Sequence, residues 1–252
     1  MPLSATPSTF DEITPWRDLY RHEMNCQIIH DSLHTREGWT REYLLRVDDA
    51  TAGYGSVAVA GPWQDNPAIY EFFVMPQYRH RLFDLFAKLV EASEVTAIET
   101  QTNDVILASL LQALAPSVTC ESILFHDRGP SSLVVPGAVV RRATPEDAAA
   151  ITAAQLDSEA KWVLVDHGAI AGTGGILFHY NRPYGDIFMA IAEPFRRRGL
   201  GSFLVQELKA ICYQQGSIPA ARCRPTNVAS RKTLQKAGFV PCGNMICGSV
   251  SI

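Results

Sequence analysis

The stretch Glu193-Pro194-Phe195-Arg196-Arg197-Arg198-Gly199-Leu200-Gly201-Ser202-Phe203 holds three consecutive arginines and two glycines one residue apart, and then turns apolar. Glycine lets backbone N–H groups approach a ligand with no Cβ in the way. Arginine adds a permanent charge and a planar fork of donors. The first turn of a helix offers unpaired N–H groups at the positive end of its macrodipole. Together these suit a phosphate or pyrophosphate. The spacing is neither a P-loop, since Gly-Lys-Ser/Thr is missing, nor the G-x-G-x-x-G dinucleotide pattern. The arginines alone would equally suit a solvated turn, so the flanking elements decide.

Those elements read clearly. Asp186–Ile191 is almost wholly apolar, as a central strand requires. A helix follows from about Ser202 to Gln215, with Leu204, Leu208, Ile211 and Cys212 on one face and Gly216 as its stop. Ala220–Cys223 is a short strand, and Asn227 caps a helix that Gly238 ends before a last strand from Phe239. Upstream, Ala138–Arg142 is a strand, and Thr144-Pro145-Glu146-Asp147 opens a helix ending near Gln155. Trp162–Val165 and Gly174–Tyr180 form a hairpin turned by Asp166-His167-Gly168.

The 252 residues are 47% apolar and 19% charged, enough for a buried core in one large or two smaller domains. A net charge of −4 argues against a nucleic-acid binder. The cysteines, Cys26, Cys120, Cys212, Cys223, Cys242 and Cys247, form no C-x-x-C pair, so neither a metal site nor a disulfide framework is expected, and reduced thiols point to a cytoplasmic protein. The first twelve residues do not read as a signal peptide, and no apolar run approaches the roughly 20 residues of a membrane span. Residues 126–137, HDRGPSSLVVPG, read as a connection, which divides the chain into a domain at 1–128, a linker at 129–137 and a domain at 138–252.

The two halves repeat one another. Ala52–Val57 matches Ala171–Ile176, Met75–Phe86 matches Glu193–Leu204 with Tyr78 opposite Phe195, and Thr102–Leu114 matches Thr226–Gly238, at offsets of 119, 117 and 124 residues. With Tyr78 so aligned, Leu82 stands where Gly199 does and Asp84 where Gly201 does. Phe72, Phe73, Phe83 and Phe86 read as core.

The order strand, R-x-x-G-x-G, helix, strand, N-x-x-S-x-x-x-L-x-K-x-G-F resembles the GNAT acyltransferase superfamily. Ile191–Leu208 is similar to its cofactor motif, Asn227–Phe239 to the helix that follows, and Val139–Ile151 to its first strand and helix. The resemblance covers residues 138–245, and residues 40–125 resemble the same fold in degraded form. It implies an α/β fold with a mixed α+β sheet, built as two tandem GNAT-like domains.

It also implies acetyl-CoA or another acyl-CoA as co-substrate, no metal, and a small-molecule or peptide amine as acceptor, with no membrane partner. Backbone groups of Arg196, Arg197, Arg198, Gly199, Leu200, Gly201 and Ser202 would hold the pyrophosphate. Met189, Ala190 and Ile191 would bond the pantetheine arm, flanked by Asn227 and Ser230. Many members carry a tyrosine seven residues after the asparagine to protonate the leaving thiolate, where this chain has Leu234. Asp186 is the best-placed acid for a catalytic base, with His179 and Tyr180 next, and a solvated turn carboxylate is the competing reading of Asp186. An acyl-CoA-binding or regulatory pseudoenzyme and a non-catalytic interaction module are the other functional classes. Only residues 156–161 separate the first helix of the second half from its hairpin, so the first half is expected to help wall the acceptor site.

Overall fold

A computed structural model of the chain describes residues 2–24, 27, 31–178 and 180–251. Cys26 and His179, named above, lie outside the described residues. Two compact units form, residues 1–122 with 243–252 and residues 123–242. Twelve strands and seven helices run through the described residues.

The first unit contains β1 (Leu3–Ser8), α1 (Phe10–Met24), α2 (Asp31–His34), β2 (Thr40–Val47), β3 (Ala50–Ala58), β4 (Ala68–Val74), α3 (Leu82–Ser93), β5 (Ala97–Gln101), α4 (Val105–Leu114) and the start of β6 (Thr119–Asp127). The second contains β7 (Ala138–Arg142), α5 (Ala148–Ala153), β8 (Trp162–Asp166), β9 (Ala169–Leu177), β10 (Tyr184–Ile191), α6 (Leu200–Gln214), β11 (Ile218–Cys223), α7 (Val228–Lys236) and the start of β12 (Phe239–Ser249).

Both units have the same mixed sheet. In the first, β1 to β4 are antiparallel neighbours, β4 meets β5 in parallel, and β5 pairs antiparallel with Met245–Ser249 of β12. In the second, β7 to β10 are antiparallel, β10 meets β11 in parallel, and β11 pairs antiparallel with Ile123–His126 of β6. Each unit's sheet therefore includes one strand from the other half of the sequence.

Local chemistry explains the elements that frame the site. His167 (φ 49°) and Gly168 (φ 84°) are both left-handed, which makes a two-residue hairpin turn, so β9 starts at Ala169 instead of the expected Gly174. Its glycines hide it in the sequence, but they are needed: a Cβ on Gly172 would lie 2.6 Å from Ala190 O, and one on Gly174 2.8 Å from Phe188 O. α6 begins at Leu200, two residues earlier than expected, and buries Leu200, Leu204, Val205, Leu208 and Cys212, with Ile211 at the edge of that face. In α3 the 3.6-residue period turns Leu85, Phe86 and Leu89 inward, so Phe83 is 54% exposed and is not core.

The duplication extends to single hydrogen bonds. Met75 N–H donates to Ala52 O at 2.8 Å, and Ala192 N–H to Ala171 O at 2.9 Å. Tyr78 N–H donates to Met75 O and Phe195 N–H to Ala192 O, both at 2.9 Å, so Tyr78 stands opposite Phe195. Asp104 caps α4 by accepting from Leu107 N–H, as Asn227 caps α7 by accepting from Ser230 N–H. The cap of α4 is thus one place beyond Asn103, which the sequence match pairs with Asn227.

The first unit carries a buried polar cluster that the second lacks at the matching strand positions. Arg17 on α1 grips Glu71 on β4, with Nε–Oε2 and Nη2–Oε1 both at 2.9 Å. Tyr54 donates to Glu71 at 2.8 Å, and His34 bridges Glu42 and Tyr70 at 3.0 Å each. Ser56 donates to Glu42. Burial disfavours the Glu71 carboxylate, but the charges of Arg17 and His34 outweigh it and hold its pKa well below the usual range. Burial likewise opposes the His34 imidazolium, yet Glu71 raises its pKa to about 9, so it is charged at neutral pH. Arg17→Met leaves the buried Glu71 with His34 in place of two cations, and a loss of about 3–5 kcal/mol in urea unfolding is expected. A loss below 0.5 kcal/mol would contradict a desolvated pair.

Candidate functional site

The site is a wedge in the sheet of the second unit. β10 and β11 pair only through Tyr184, Gly185 and Asp186, opposite Ile218, Pro219 and Ala220. β10 then runs on to Ile191 without a strand partner on that side among the described residues. Bonding alternates along an antiparallel ladder, and Ala192 N–H bonds to Ala171 O. The main-chain groups of Phe188 and Ala190 therefore face β9, while those of Met189 and Ile191 face the wedge. Ile191 O is already engaged, accepting from Arg196 Nε at 3.0 Å.

The cradle closes the open end of this wedge. Arg196 is extended (φ −68°, ψ 160°), Arg197 is left-handed (φ 63°), and Gly199 caps α6 in the left-handed region (φ 81°). A positive φ is uncommon for a non-glycine residue, and here it turns the chain between β10 and α6. The first bond back into α6 is Phe203 N–H to Gly199 O at 3.1 Å, so the N–H groups of Leu200, Gly201 and Ser202 precede it.

The arginines divide their roles. Arg196 braces β10, and Arg198 pairs with Asp166 at 2.8 Å and lies over the Phe195 ring. Arg197 is exposed with no side-chain partner among the described residues. Ser202 Oγ donates to Thr233 O at 3.1 Å, which ties α6 to α7. Asn227 uses Oδ1 for its cap and keeps its Nδ2. Ser230 sits at the wedge, beside Cys223.

A cavity of about 230 Å³ lies at the vertex, lined by Asp186, Ile187, Met189, Arg222, Ser230 and Leu234 among others. The Met189 and Ile191 side chains point to α6, where Gly201 sits within 3.5 Å of both for an added Cβ. Asp186 has the opposite parity and faces the other side of the sheet. It is buried, its Oδ1 has no hydrogen-bond partner among the described residues, and its Oδ2 is 3.4 Å from Arg222 Nε. Burial raises its pKa to about 6, against the opposing charge of Arg222. The Arg222 guanidinium carbon lies over the Tyr180 ring, 4.9 Å from its centroid. Leu234 is buried and offers no proton.

Arg222 was not expected. The signal for Arg222 was a lone cation in an otherwise apolar strand, Ile218–Cys223, but only the β10–β11 register brings it to Asp186.

The same place in the first unit is closed. Pro76–Arg81 winds as a 3₁₀ turn directly into α3, Leu82 is right-handed (φ −55°), and Asp84 pairs with Arg81 at 2.9 Å in the first turn. Phe72, the counterpart of Met189, is fully buried and packs edge-on against Phe86 at 5.2 Å.

No group of three or more metal-ligating side chains occurs among the described residues, and no helix of the described residues is long and apolar enough to cross a membrane. A parted strand pair that opens onto a glycine-widened helix start, on a scaffold occurring twice, defines a tandem α/β fold of the acyltransferase kind. Residues 135–239 match the acetyltransferase (GNAT) family, so the second unit carries a domain of that family.

Solved structures share the fold over the whole chain. An acetyltransferase of the GNAT family from Colwellia psychrerythraea is 15% identical, with 100% of each chain covered and a TM-score of 0.76. A tandem GNAT protein from the clavulanic acid biosynthesis pathway is 15% identical, with 98% of this chain and 97% of that one covered and a TM-score of 0.63. A GCN5-related N-acetyltransferase from Sphaerobacter thermophilus is 16% identical, with 97% and 94% covered and a TM-score of 0.59. No curated protein matches the chain.

Proposed function

We propose that the chain transfers an acyl group from acyl-CoA, acetyl-CoA first of all, to the amine of a small molecule or peptide, within the second unit. One observation carries this reading: the opened start of α6 leads along the unpaired edge of β10 to a buried carboxylate at the vertex of the wedge. The residues present fit the co-substrate. The N–H groups of Leu200, Gly201 and Ser202, with Arg197, would hold the pyrophosphate. The main-chain groups of Met189 would bond the pantetheine arm, with Asn227 and Ser230 beside it. Bound acyl-CoA supplies the acyl group as an activated thioester.

The chain's own residues do the rest. The wedge holds the two reactants together, which removes much of the entropic barrier. Met189 N–H polarises the acyl carbonyl. The amine nitrogen forms the C–N bond as the C–S bond breaks, and the sulfur leaves with its electron pair. Asp186, ionised above pH 6, takes the amine proton, directly or through a water. That proton ends on the thiolate, whose ordinary pKa of about 8.5 makes it a fair leaving group even with Leu234 in place of a tyrosine. Leu234 also motivates the second reading, a regulatory protein that binds acyl-CoA without turning it over.

Both readings require CoA binding. CoA at 100 times its Kd should stabilise the chain by about 2.7 kcal/mol, seen as a raised Tm, and thiol release from acetyl-CoA with an amine panel separates the enzyme from the binder. An unchanged Tm at millimolar CoA would contradict both.

A further inference from the structure

We infer that the acceptor carries a carboxylate close to its amine, as an α- or β-amino acid does, and that Arg222 receives it; the inference rests on the acyl-transfer reading. Arg222 lines the cavity beside Asp186. Its guanidinium carbon lies over the Tyr180 ring, 4.9 Å from the centroid, and Nε lies 3.4 Å from Asp186 Oδ2. The remaining edge, the Nη1/Nη2 fork, has no partner among the described residues. A fork of that kind matches a carboxylate through two parallel charge-assisted bonds.

The site then presents a complementary pair: Asp186 Oδ1, buried and without a hydrogen-bond partner, for the amine, and the Arg222 fork for the acid. The amine and carboxylate of an α- or β-amino acid are two or three bonds apart, which suits two groups already within 3.4 Å of one another. The same guanidinium repels a diamine or a lysine side chain in a basic peptide. The cavity, about 230 Å³, is also below the roughly 300–1,000 Å³ of drug-sized ligand sites, which favours a small acceptor. During transfer the amine forms the C–N bond, gives its proton to Asp186 and releases the CoA thiolate, while the carboxylate stays paired with Arg222 and is unchanged.

The test uses the full chain, acetyl-CoA, and glycine, alanine, β-alanine, glutamate and phenylalanine, each beside its carboxamide, with putrescine as the cationic control. The best amino acid should exceed its carboxamide about 30-fold in kcat/KM, mostly through KM, as loss of a charge-assisted pair predicts. Arg222→Gln should bring that ratio within threefold of one, and Arg222→Lys should restore part of it. The ratio is the readout, since Arg222 also touches Asp186.

Equal use of carboxamides, preference for putrescine, or an unchanged ratio in Arg222→Gln would overturn the inference and leave acyl transfer standing. If no acceptor releases thiol, the acyl-transfer reading fails, and calorimetry on the CoA-saturated chain decides the carboxylate site. Heat with the amino acids and none with the carboxamides upholds it, and no heat with either overturns it.

Discussion

Gly201→Asp is expected to weaken CoA binding about 1,000-fold while leaving the fold intact. The substitution copies Asp84 of the first unit into the first turn of α6. A carboxylate about 4 Å from a phosphate charge costs about 4 kcal/mol at an effective dielectric of 20. The fold should tolerate it, because the nearest atoms to an added Cβ are Thr233 Cγ2 at 3.3 Å, Met189 Cε at 3.4 Å and Ile191 Cγ1 at 3.5 Å, all side-chain carbons that need give by only a few tenths of an ångström. An acid in a first helical turn also contributes about 0.3–1 kcal/mol through the macrodipole. Calorimetric titration with CoA, beside an unchanged circular dichroism spectrum, checks this. Binding within threefold of the parent would remove the cradle from the account.

Asp186→Asn is expected to cut kcat/KM by about 10²–10⁴ and to stabilise the chain at neutral pH. The first effect is the ordinary worth of a general base. The parent kcat/KM should rise through an apparent pKa near 6, and the variant should lose that limb.

The second effect follows from proton linkage. The carboxyl titrates at 3.8 when unperturbed and at about 6 in the fold. Between those values the folded state binds the proton more tightly, so stability falls as pH rises from about 4 to 6 and stays reduced above. Two pH units correspond to about 3 kcal/mol, which the amide does not forfeit. The variant should therefore melt a few degrees higher at pH 7.5 and show no gain below pH 4. Loss of activity together with loss of stability would mark Asp186 as a packing residue.

Local signals were legible in the sequence. Gly199 and Gly201, the buried face of α6, the Asn227 cap and the Thr144-Pro145 helix start, closed by Asp147 in a capping box, are each written within a few residues. The alignment of Leu82 and Asp84 with Gly199 and Gly201 was legible too, because the duplication supplies its own comparison.

Features that need distant pairing were not. The face taken by Asp186 depends on the β9–β10 ladder, and its neighbour Arg222 on the β10–β11 register. The strands contributed by β6 and β12 pair residues roughly 100–150 positions apart, which leaves no periodic trace. The cluster of Arg17, His34, Glu42 and Glu71 is scattered over four elements and reads in the sequence as ordinary surface charge. β9 was shortened because glycines placed for close approach look like a loop.

Acyl-CoA is expected to enter the wedge of the second unit and not its counterpart in the first. Hydrogen–deuterium exchange of the full chain with and without CoA tests it directly. Protection is expected in peptides covering 187–203 and 227–234, with none in 70–90. Protection at 70–90 without change at 187–203, or none in either, would contradict it.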